Sequence, residues 1–286
     1  MGNRVKCVAL FTHQVADVSA EMLAVALPIL LENGVRLLLP PGEALKHPDL
    51  RRTCSDGCRE VARADLLEAD LCLVFGGDGT MLRALRMTRD LGVPVAGVNL
   101  GRVGYLATVG RDRIVEDLPR LLAGEFVTQP LLGLSTVCDG VTLRAVNDFV
   151  VGRGREGGVC RISYALNGNR LFDVRCDALV VATPAGSTAY NLSVGGPVVG
   201  VGVEGFVVSY VAPHALGVRS VVAAAGDVLT LTNESTHSAV EVLSDGEHVA
   251  ELAPLANLEV GTIPALAALA LLPGTDFYQH FAERFV

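Results

Sequence analysis

The spacing of apolar residues changes once along this chain, near residue 125, and that change restricts the fold more than any other feature. Before it, short apolar runs at residues 5–11, 70–75 and 93–100 alternate with longer segments of helical character. This alternation is typical of right-handed βαβ units and a parallel sheet. We therefore predict an α/β domain over residues 1–125.

After the change, runs of alternating apolar and polar residues are separated by short turn sequences. Asp139-Gly140 and Asn167-Gly168 each lie between two such runs, as expected for β-hairpins. The sequence thus predicts an all-β domain over residues 126–262. Residues 263–286 end in TDFYQHFAERFV, whose apolar spacing favours a short amphipathic helix. We expect this C-terminal segment to pack back on the α/β domain.

Charge and hydropathy exclude several classes of partner. The net charge of the 286 residues is −8, which argues against a general nucleic-acid binder. A bound phosphate would therefore need local arginines and backbone dipoles. No apolar run is long enough to cross a bilayer, and the N-terminus lacks a signal-peptide core, so we expect a cytoplasmic protein without a membrane partner.

The cysteines form no recognisable framework. Their number, seven, is odd, and the closest pair, Cys54 and Cys58, has a spacing that is weak evidence for a metal or a disulfide. We expect reduced and mostly buried thiols.

A glycine loop lies between an apolar strand and a helical run in VFGGDGTMLRALR, residues 74–86. Gly76, Gly77 and Gly79 would allow close approach of the backbone to a phosphate, and Thr80 is placed to cap the helix that follows. The start of that helix would offer free N–H groups and the positive end of its dipole. We predict a phosphate-binding site formed by these four residues.

Asp78 is the unexpected residue of this loop, because phosphates repel a carboxylate. A carboxylate is useful there if it accepts a proton from an attacking hydroxyl group or helps to place Mg²⁺ between phosphates. Both roles indicate phosphoryl transfer. The alternative is an aspartate that caps or turns the loop locally.

A second glycine motif, GRGREG at residues 152–157, is less informative. A dinucleotide-binding fingerprint requires a helix next, whereas the following GVCRISYAL alternates like a strand. We interpret the motif as a hairpin tip. The sequence contains no P-loop motif either.

Two further segments have the composition of ligand-binding loops. In residues 177–197, DALVVATPAGSTAYNLSVGGP, an apolar strand leads into small hydroxyl residues. Ser187 and Thr188 could bind polar edges of a ligand, and Tyr190 offers a flat face for a base. Adjacent Asn147 and Asp148 could bind the vicinal hydroxyls of a ribose. The alternatives are ordinary turns, with Tyr190 in the core.

These motifs together resemble the NAD kinase family. The resemblance rests on FGGDGTMLRALR, GVNLGRVGYLATV, NDFVVGR, DALVVATPAGSTAYNLSVGGPVV and LSDGEH, in the order of the family. It implies an α/β N-terminal domain with a parallel sheet, an all-β, β-sandwich-like C-terminal domain and a C-terminal segment that returns to the first domain.

The resemblance also implies an activity. The family transfers the terminal phosphate of ATP, or in some members of polyphosphate, to the 2′-hydroxyl of the adenosine ribose of NAD, giving NADP. Asp78 matches the catalytic base. Mg²⁺ is expected to arrive with the nucleotide, without a fixed protein metal site. Members of the family are homodimers or homotetramers whose sites lie near a subunit interface.

Individual residues are implied as well. Asn147 matches the asparagine that contacts the dinucleotide, and Arg175 and Asp177 match positions near the nicotinamide half, an area built partly by a second subunit. The dinucleotide-binding residues implied are Asn147, Asp148, Arg175, Asp177, Thr188, Ala189, Tyr190 and Ser193. Arg83 and Asp245 are further candidates.

The sequence departs from the family at two of these places. The usual Asn-Glu pair is Asn147-Asp148, and Ala185 replaces a hydroxyl residue. One alternative is therefore a kinase of the same fold that acts on another hydroxyl, on a nucleoside or a specialised metabolite. Another is a non-catalytic dinucleotide-binding sensor, which would not need Asp78.

Overall fold

The computed structural model describes residues 3–48, 50, 57–100, 104–106, 109–154, 158–278 and 281–282. The chain is divided into two compact units. The first consists of Met1–Pro130 and Ala267–Val286, and the second consists of Leu131–Leu266. The divisions lie a few residues beyond the boundaries at 125 and 262 that the sequence predicts. We call these the α/β unit and the β unit.

The helices are α1 Ala16–Glu32, α2 Glu43–Lys46, α3 Asp78–Thr88, α4 Ile114–Leu122 and α5 Tyr190–Ser193. Short 3₁₀ helices cover Arg63–Glu68, Arg111–Arg113 and Ala185–Thr188. The strands are β1 Cys7–Thr12, β2 Arg36–Leu39, β3 Cys58–Glu60, β4 Leu71–Phe75, β5 Val95–Val98, β6 Val127–Cys138, β7 Val141–Ala145, β8 Asp148–Arg153, β9 Cys160–Leu166, β10 Asn169–Cys176, β11 Ala178–Ala182, β12 Gly205–Val211, β13 Val221–Ala224, β14 Leu229–Asn233, β15 Val240–Ser244, β16 Glu247–Leu252 and β17 Asn257–Leu271.

The α/β unit contains the parallel sheet that the alternation predicts. Its strands pair in the order β5-β4-β1-β2-β3, all parallel. The end of β17 adds to the β5 edge through Leu269 and Val95, again in parallel. The predicted return of the C-terminal segment to this unit is thus confirmed, and part of it is a strand that the sequence did not indicate.

Two residues of types that often cap helices, Ser19 and Thr80, lie inside their helices, whereas the sequence predicts Thr80 as a cap. Helix α1 begins at Ala16, so Ser19 lies inside it, and its hydroxyl donates to the Ala16 carbonyl 3.1 Å away. Helix α3 begins at Asp78 after Gly77, so Thr80 is its third residue and not its cap. In both cases the helix extends one turn further toward the N-terminus than the capping residue type suggested. Gly34 and Gly92, which follow α1 and α3, have positive φ.

The β unit is built from antiparallel hairpins, as predicted. One sheet has the order β13-β12-β11-β8-β15-β16, and in the other β10, β9, β14 and β17 are neighbours, with β6 pairing β17 and β7. The turn pairs have both residues in the left-handed region, namely Asp139 and Gly140, Asn167 and Gly168, and Asp245 and Gly246. Two such residues match the twist of the strands that they connect.

Each unit has its own apolar core. Phe11 and Phe75 are fully buried in the α/β unit, where strands and helices pack, and Phe149, Tyr164 and Phe206 are fully buried in the β unit. In the α/β unit the ring of Phe281, in a C-terminal helical segment, lies 6.3 Å from that of Tyr105. Among the helices that the structure describes, none has the length and apolar composition that a membrane span requires.

The glycine motif at 152–157 does not precede a helix. Gly152 belongs to β8, and a Cβ there would lie 2.6 Å from the Ala178 Cβ, so strand pairing accounts for this glycine. The next described element is strand β9, as predicted. Residues 155–157 lie outside the described part of the chain.

The cysteines that the structure describes are free thiols, and apart from Cys58 they are buried. Cys54, the other member of the pair singled out in the sequence, lies outside the described residues.

Candidate active site

The glycine loop joins β4 to α3. Gly76 donates its N–H to the Val98 carbonyl at 3.1 Å, and the carbonyl of Gly77 accepts from Thr80 and Met81 in the first turn of α3. A Cβ on Gly76 would lie 2.4 Å from Thr80 Oγ1, so this position requires glycine for packing. Gly77 and Gly79 instead face open space. The first glycine shapes the loop, and the other two leave its surface accessible.

A cavity of about 250 Å³ lies against this loop within the α/β unit. It is lined by His13, Gln14, Gly77, Gly79, Thr80 and Arg83. The N-terminus of an 11-residue helix and one arginine thus border the same space. Backbone N–H groups at the start of a helix, the helix dipole and a guanidinium favour an anion, so the cavity has the chemistry of a phosphate site.

Asp78 is held from outside its own helix. Its Oδ2 accepts the N–H of Tyr105 at 3.3 Å, and its Oδ1 accepts that of Leu106 at 3.2 Å. A Cβ on Gly104 would lie 2.5 Å from Oδ1, so this glycine lets the segment approach the carboxylate. The cap position of α3 is Gly77, without a side-chain cap bond. Asp78 is therefore a positioned carboxylate and not a helix cap.

In the β unit, Asn147 and Asp148 lie at the start of β8, and a third carboxylate holds their backbone. Asp245, at the hairpin turn after β15, accepts the N–H groups of Val146 at 3.0 Å, Asn147 at 2.7 Å and Asp148 at 3.2 Å. All three N–H groups are buried with it. Asp245 thus fixes the backbone of the Asn147-Asp148 segment, which is a structural contribution.

Asp148 has an unusual protonation equilibrium. Burial, with a smaller contribution from the charge of Asp245, raises the pKa of its carboxyl group to about 7. Both effects disfavour a second negative charge in this place. Asn147 beside it has a buried Oδ1 that accepts no hydrogen bond from the residues that the structure describes. A buried acceptor without a partner is costly, and a ligand donor would satisfy it.

The TPAGST turn is attached to this same segment. Because β11 pairs with β8, Ala182 faces Asp148, and Thr183 donates its N–H to the Asn147 carbonyl at 2.8 Å. Its hydroxyl donates to the Val146 carbonyl at 2.7 Å. A Cβ on Gly186 would lie 2.1 Å from the Asn147 carbonyl oxygen, so glycine is required for this contact. Two motifs that are separated in sequence are therefore adjacent in the β unit.

Ser187 does not fit its predicted role in ligand binding. It is fully buried, its hydroxyl donates to the Pro184 carbonyl at 2.7 Å, and it accepts the Val199 N–H at 2.9 Å. The same turn is secured by Asn191, whose Nδ2 donates to the carbonyls of Ser187 and Pro197. Sequence reasoning overlooked Asn191 because a polar residue after tyrosine gives no sign of burial.

The residues expected at the adenine are accessible. Thr188 and Ala189 are half-buried, and Tyr190 and Ser193, on α5, are exposed. Tyr190 has 42% of its surface exposed, which contradicts the alternative of a core residue. Its ring and hydroxyl are available to a ligand.

Arg175 and Asp177 lie elsewhere in the β unit. Arg175 and Asp177 precede β11, and Thr183 follows it. The six residue steps from Asp177 to Thr183 span about 20 Å. Arg175 is exposed, and Asp177 forms an ion pair with Arg153 at 3.5 Å. Within one chain the β unit therefore does not bring them together with Asn147 and Tyr190.

A buried carboxylate in the α/β unit was missed. Glu43, on α2, pairs with both Arg83 and Lys46 and is 1% exposed. The sequence EALK gives no sign of this, because it resembles an ordinary surface turn of helix.

The α/β unit has a glycine loop with a fixed carboxylate, and the β unit that follows it is built from hairpins. This combination is typical of kinases that phosphorylate hydroxyl groups. The ATP-NAD kinase N-terminal domain matches residues 32–126, and the ATP-NAD kinase C-terminal domain matches residues 146–265.

Curated relatives agree with this assignment. The chain is 34% identical over 259 residues to the NAD kinase of Symbiobacterium thermophilum, covering 88% of this chain and 89% of that protein. It is 33% identical over 221 residues to the NAD kinase of Gemmatimonas aurantiaca, covering 75% and 76%. The chain therefore belongs to the NAD kinase family.

Two solved structures share the fold. Yeast NADH kinase complexed with NADH superimposes with a TM-score of 0.81 at 19% identity, over 98% of this chain and 87% of that one. An NAD kinase from Archaeoglobus fulgidus in complex with ATP gives 0.73 at 21% identity, over 97% and 98%. At these identities the likeness shows the fold alone.

The raised pKa of Asp148 predicts a pH-dependent stability. The folded protein holds this proton up to about pH 7, and the unfolded chain only to about 4. The free energy of unfolding should therefore fall as pH rises from 4 to 7, by no more than about 4 kcal/mol from this group. Asp148→Asn should remove that part of the slope and raise the melting temperature at pH 8.

The control is Asp139→Asn, an exposed turn residue of the same unit with φ of +48°. Melting curves of both variants between pH 4 and 8 check the prediction. A slope in Asp148→Asn equal to that of the parent protein would contradict it.

Proposed function

We propose that this chain is an ATP-dependent kinase that phosphorylates NAD at the 2′-hydroxyl of its adenosine ribose. The observation that carries the proposal is Asp78, a carboxylate fixed at the start of α3 in the glycine loop. The 2′-oxygen forms a bond to the γ-phosphorus while the bond from that phosphorus to the β,γ-bridging oxygen breaks. The products are NADP and ADP.

Asp78 accepts the proton that the 2′-hydroxyl loses in this step. Its two backbone hydrogen bonds, at 3.2 and 3.3 Å, hold the carboxylate in place. Positioning of such a base is what general base catalysis requires first. A sensor that only binds a dinucleotide would not need this group.

The donor phosphates are assigned to the cavity beside Gly77, Gly79 and Thr80. Its walls offer backbone N–H groups at a helix start, and the protein as a whole carries a net charge of −8. Local donors must therefore offset an unfavourable global field. ATP is the donor that we propose, with polyphosphate as the alternative for the same site.

We propose that the divalent cation arrives with the nucleotide and is not held at a fixed protein site. In the described part of the chain, no three His, Cys, Asp or Glu side chains are grouped to hold a metal ion. Mg²⁺ bound to ATP commonly takes its ligands from phosphates, water and one or two carboxylates. When it is bound with the nucleotide, Mg²⁺ neutralises charge on the phosphates. Asp78 is the carboxylate that the glycine loop offers.

The dinucleotide is assigned to the β unit. Asn147, with its buried Oδ1, and Asp148 would bind ribose hydroxyls, since both offer acceptors for O–H donors. Thr188, Ala189, Tyr190 and Ser193 would line the adenine pocket, with the exposed ring of Tyr190 as a stacking surface.

Arg175 and Asp177 are assigned to the nicotinamide half in a homo-oligomer. Asp177 lies about 20 Å along β11 from Thr183, and Arg175 precedes it, so their contribution would come to the site of a second subunit. A homodimer or homotetramer in the cytoplasm is the form that we propose.

Asp78→Asn should retain NAD binding and lose about 10²–10⁴-fold in turnover, because an amide cannot accept the proton. NADP formation with ATP and Mg²⁺ measures the loss, and calorimetry measures NAD binding. Asp112→Asn, an exposed aspartate of the same unit, is the control and should be fully active. Turnover of Asp78→Asn within a few-fold of the parent protein would mean that another group is the base.

Tyr190→Ala should raise KM for NAD with a smaller change in kcat, because it removes a stacking surface and not a reacting group. The rise should be about five- to thirty-fold, as one stacked ring contributes about 1–2 kcal/mol. Tyr190→Phe keeps the ring and serves as the matched control, with KM near that of the parent protein. An equal rise in KM in the two variants would show that the hydroxyl group, and not the ring, is responsible.

A further inference from the structure

Glu43 is a buried carboxylate between two cations in the α/β unit. Its Oε1 lies 2.7 Å from Arg83 Nη2, and its Oε2 lies 2.7 Å from Lys46 Nζ. Oε2 also accepts the hydroxyl of Thr12 at 2.6 Å and its N–H at 3.2 Å. A buried charge in a protein is retained where it is paired and hydrogen-bonded on both oxygens, as here.

Lys46 is fully used inside this cluster. Its ammonium group lies within hydrogen-bond distance of Glu43, of the Thr12 carbonyl at 3.0 Å and of the His13 carbonyl at 3.2 Å. An ammonium group has three protons, so these partners account for all of them. Burial lowers the pKa of Lys46, with Glu43 opposing that shift. Lys46 therefore fixes the backbone that leads into the cavity wall and does not bind a ligand itself.

Arg83 differs because part of its guanidinium is still available. It lies on α3 three and four residues after Thr80 and Gly79, hence on the same helix face. Its hydrogen bonds to the described residues, those to Thr12 O and Glu43, both use Nη2. Nε is buried without a partner among the described residues. Arg83 also lines the cavity, whereas Glu43 is not among the described residues that do.

We propose that Glu43 is a positioning residue for the phosphate donor: it holds Arg83 at the cavity, and the remaining N–H groups of Arg83 bind the phosphates of ATP. This inference rests on the proposed function. One carboxylate and two cations leave the cluster with a net charge of +1, so Glu43 orients the guanidinium without cancelling the local positive charge. A planar guanidinium fixed at one nitrogen keeps its other donors in a defined direction.

The distinguishing measurement is a split between the two substrates. Glu43→Gln keeps the shape of the side chain but weakens its hold on Arg83, and it should raise both KM for ATP and the calorimetric Kd for ATP about tenfold. KM for NAD should change less than twofold. A general loss of structure would raise both KM values and lower the melting temperature.

A double-mutant cycle tests whether Glu43 acts through Arg83. Arg83→Gln should raise the Kd for ATP at least as much as Glu43→Gln, and the double variant should match Arg83→Gln alone. Glu68→Gln is the control, because Glu68 also pairs with two arginines, Arg36 and Arg59, but at an exposed site of the same unit. It removes the same charge and should leave ATP binding unchanged.

The outcomes separate this inference from the proposed function. A parent protein that makes no NADP from ATP and NAD overturns the proposed function. A parent protein that makes NADP, with the Kd for ATP unchanged in Glu43→Gln or with additive effects in the cycle, overturns the role of Glu43. Should Glu43→Gln fail to fold, the Kd for ATP of Arg83→Gln is the deciding measurement. This variant should fold, because the Arg83 side chain is 33% exposed and Glu43 still pairs with Lys46. An unchanged Kd for ATP in that variant would also overturn the inference.

Discussion

The carboxyl ends of the parallel strands place every group that the phosphate site requires. His13 and Gln14 follow β1, Glu43 follows β2, Gly77 and Gly79 follow β4, and Tyr105 and Leu106 come after β5. Parallel strands of one sheet end at one edge, and ligands of open α/β sheets bind there. A wall of the cavity, the segment that holds Asp78 and the charge cluster therefore lie at this edge because of strand direction.

Carboxylates do much of the positioning in both units. Asp78 accepts two backbone N–H groups, Asp245 accepts three, and Glu43 accepts one together with a hydroxyl and two cations. Such bonds are stronger than those between neutral groups. The negative charges of these three carboxylates are thus offset by groups of the protein itself.

The sequence predicted features that depend on neighbouring residues. The Asp-Gly and Asn-Gly hairpins were confirmed, because two consecutive left-handed residues are typical of tight hairpin turns. The glycine loop was also placed correctly between a strand and a helix. What it could not predict depends on partners that are distant in the chain. Glu43 lies 40 residues from Arg83, and Asp245 lies about 100 from the segment that it holds. Ser187 and Asn191 look like surface residues in the sequence, but both are fully buried, Ser187 beside Val199 and Asn191 beside Pro197 and Ser209.

Asp148 shows how this positioning affects ligand chemistry. Asp245 is needed to hold the Asn147-Asp148 backbone, and its charge, added to burial, keeps Asp148 close to half protonated near pH 7. A ribose hydroxyl that donates to Asp148 stabilises the ionised form, so binding of such a ligand releases a proton. The shorter side chain of Asp148 keeps the carboxylate near β8 and Asp245, whereas a glutamate could extend away from both. The aspartate in place of the family's glutamate therefore holds the carboxylate closer to the backbone of β8.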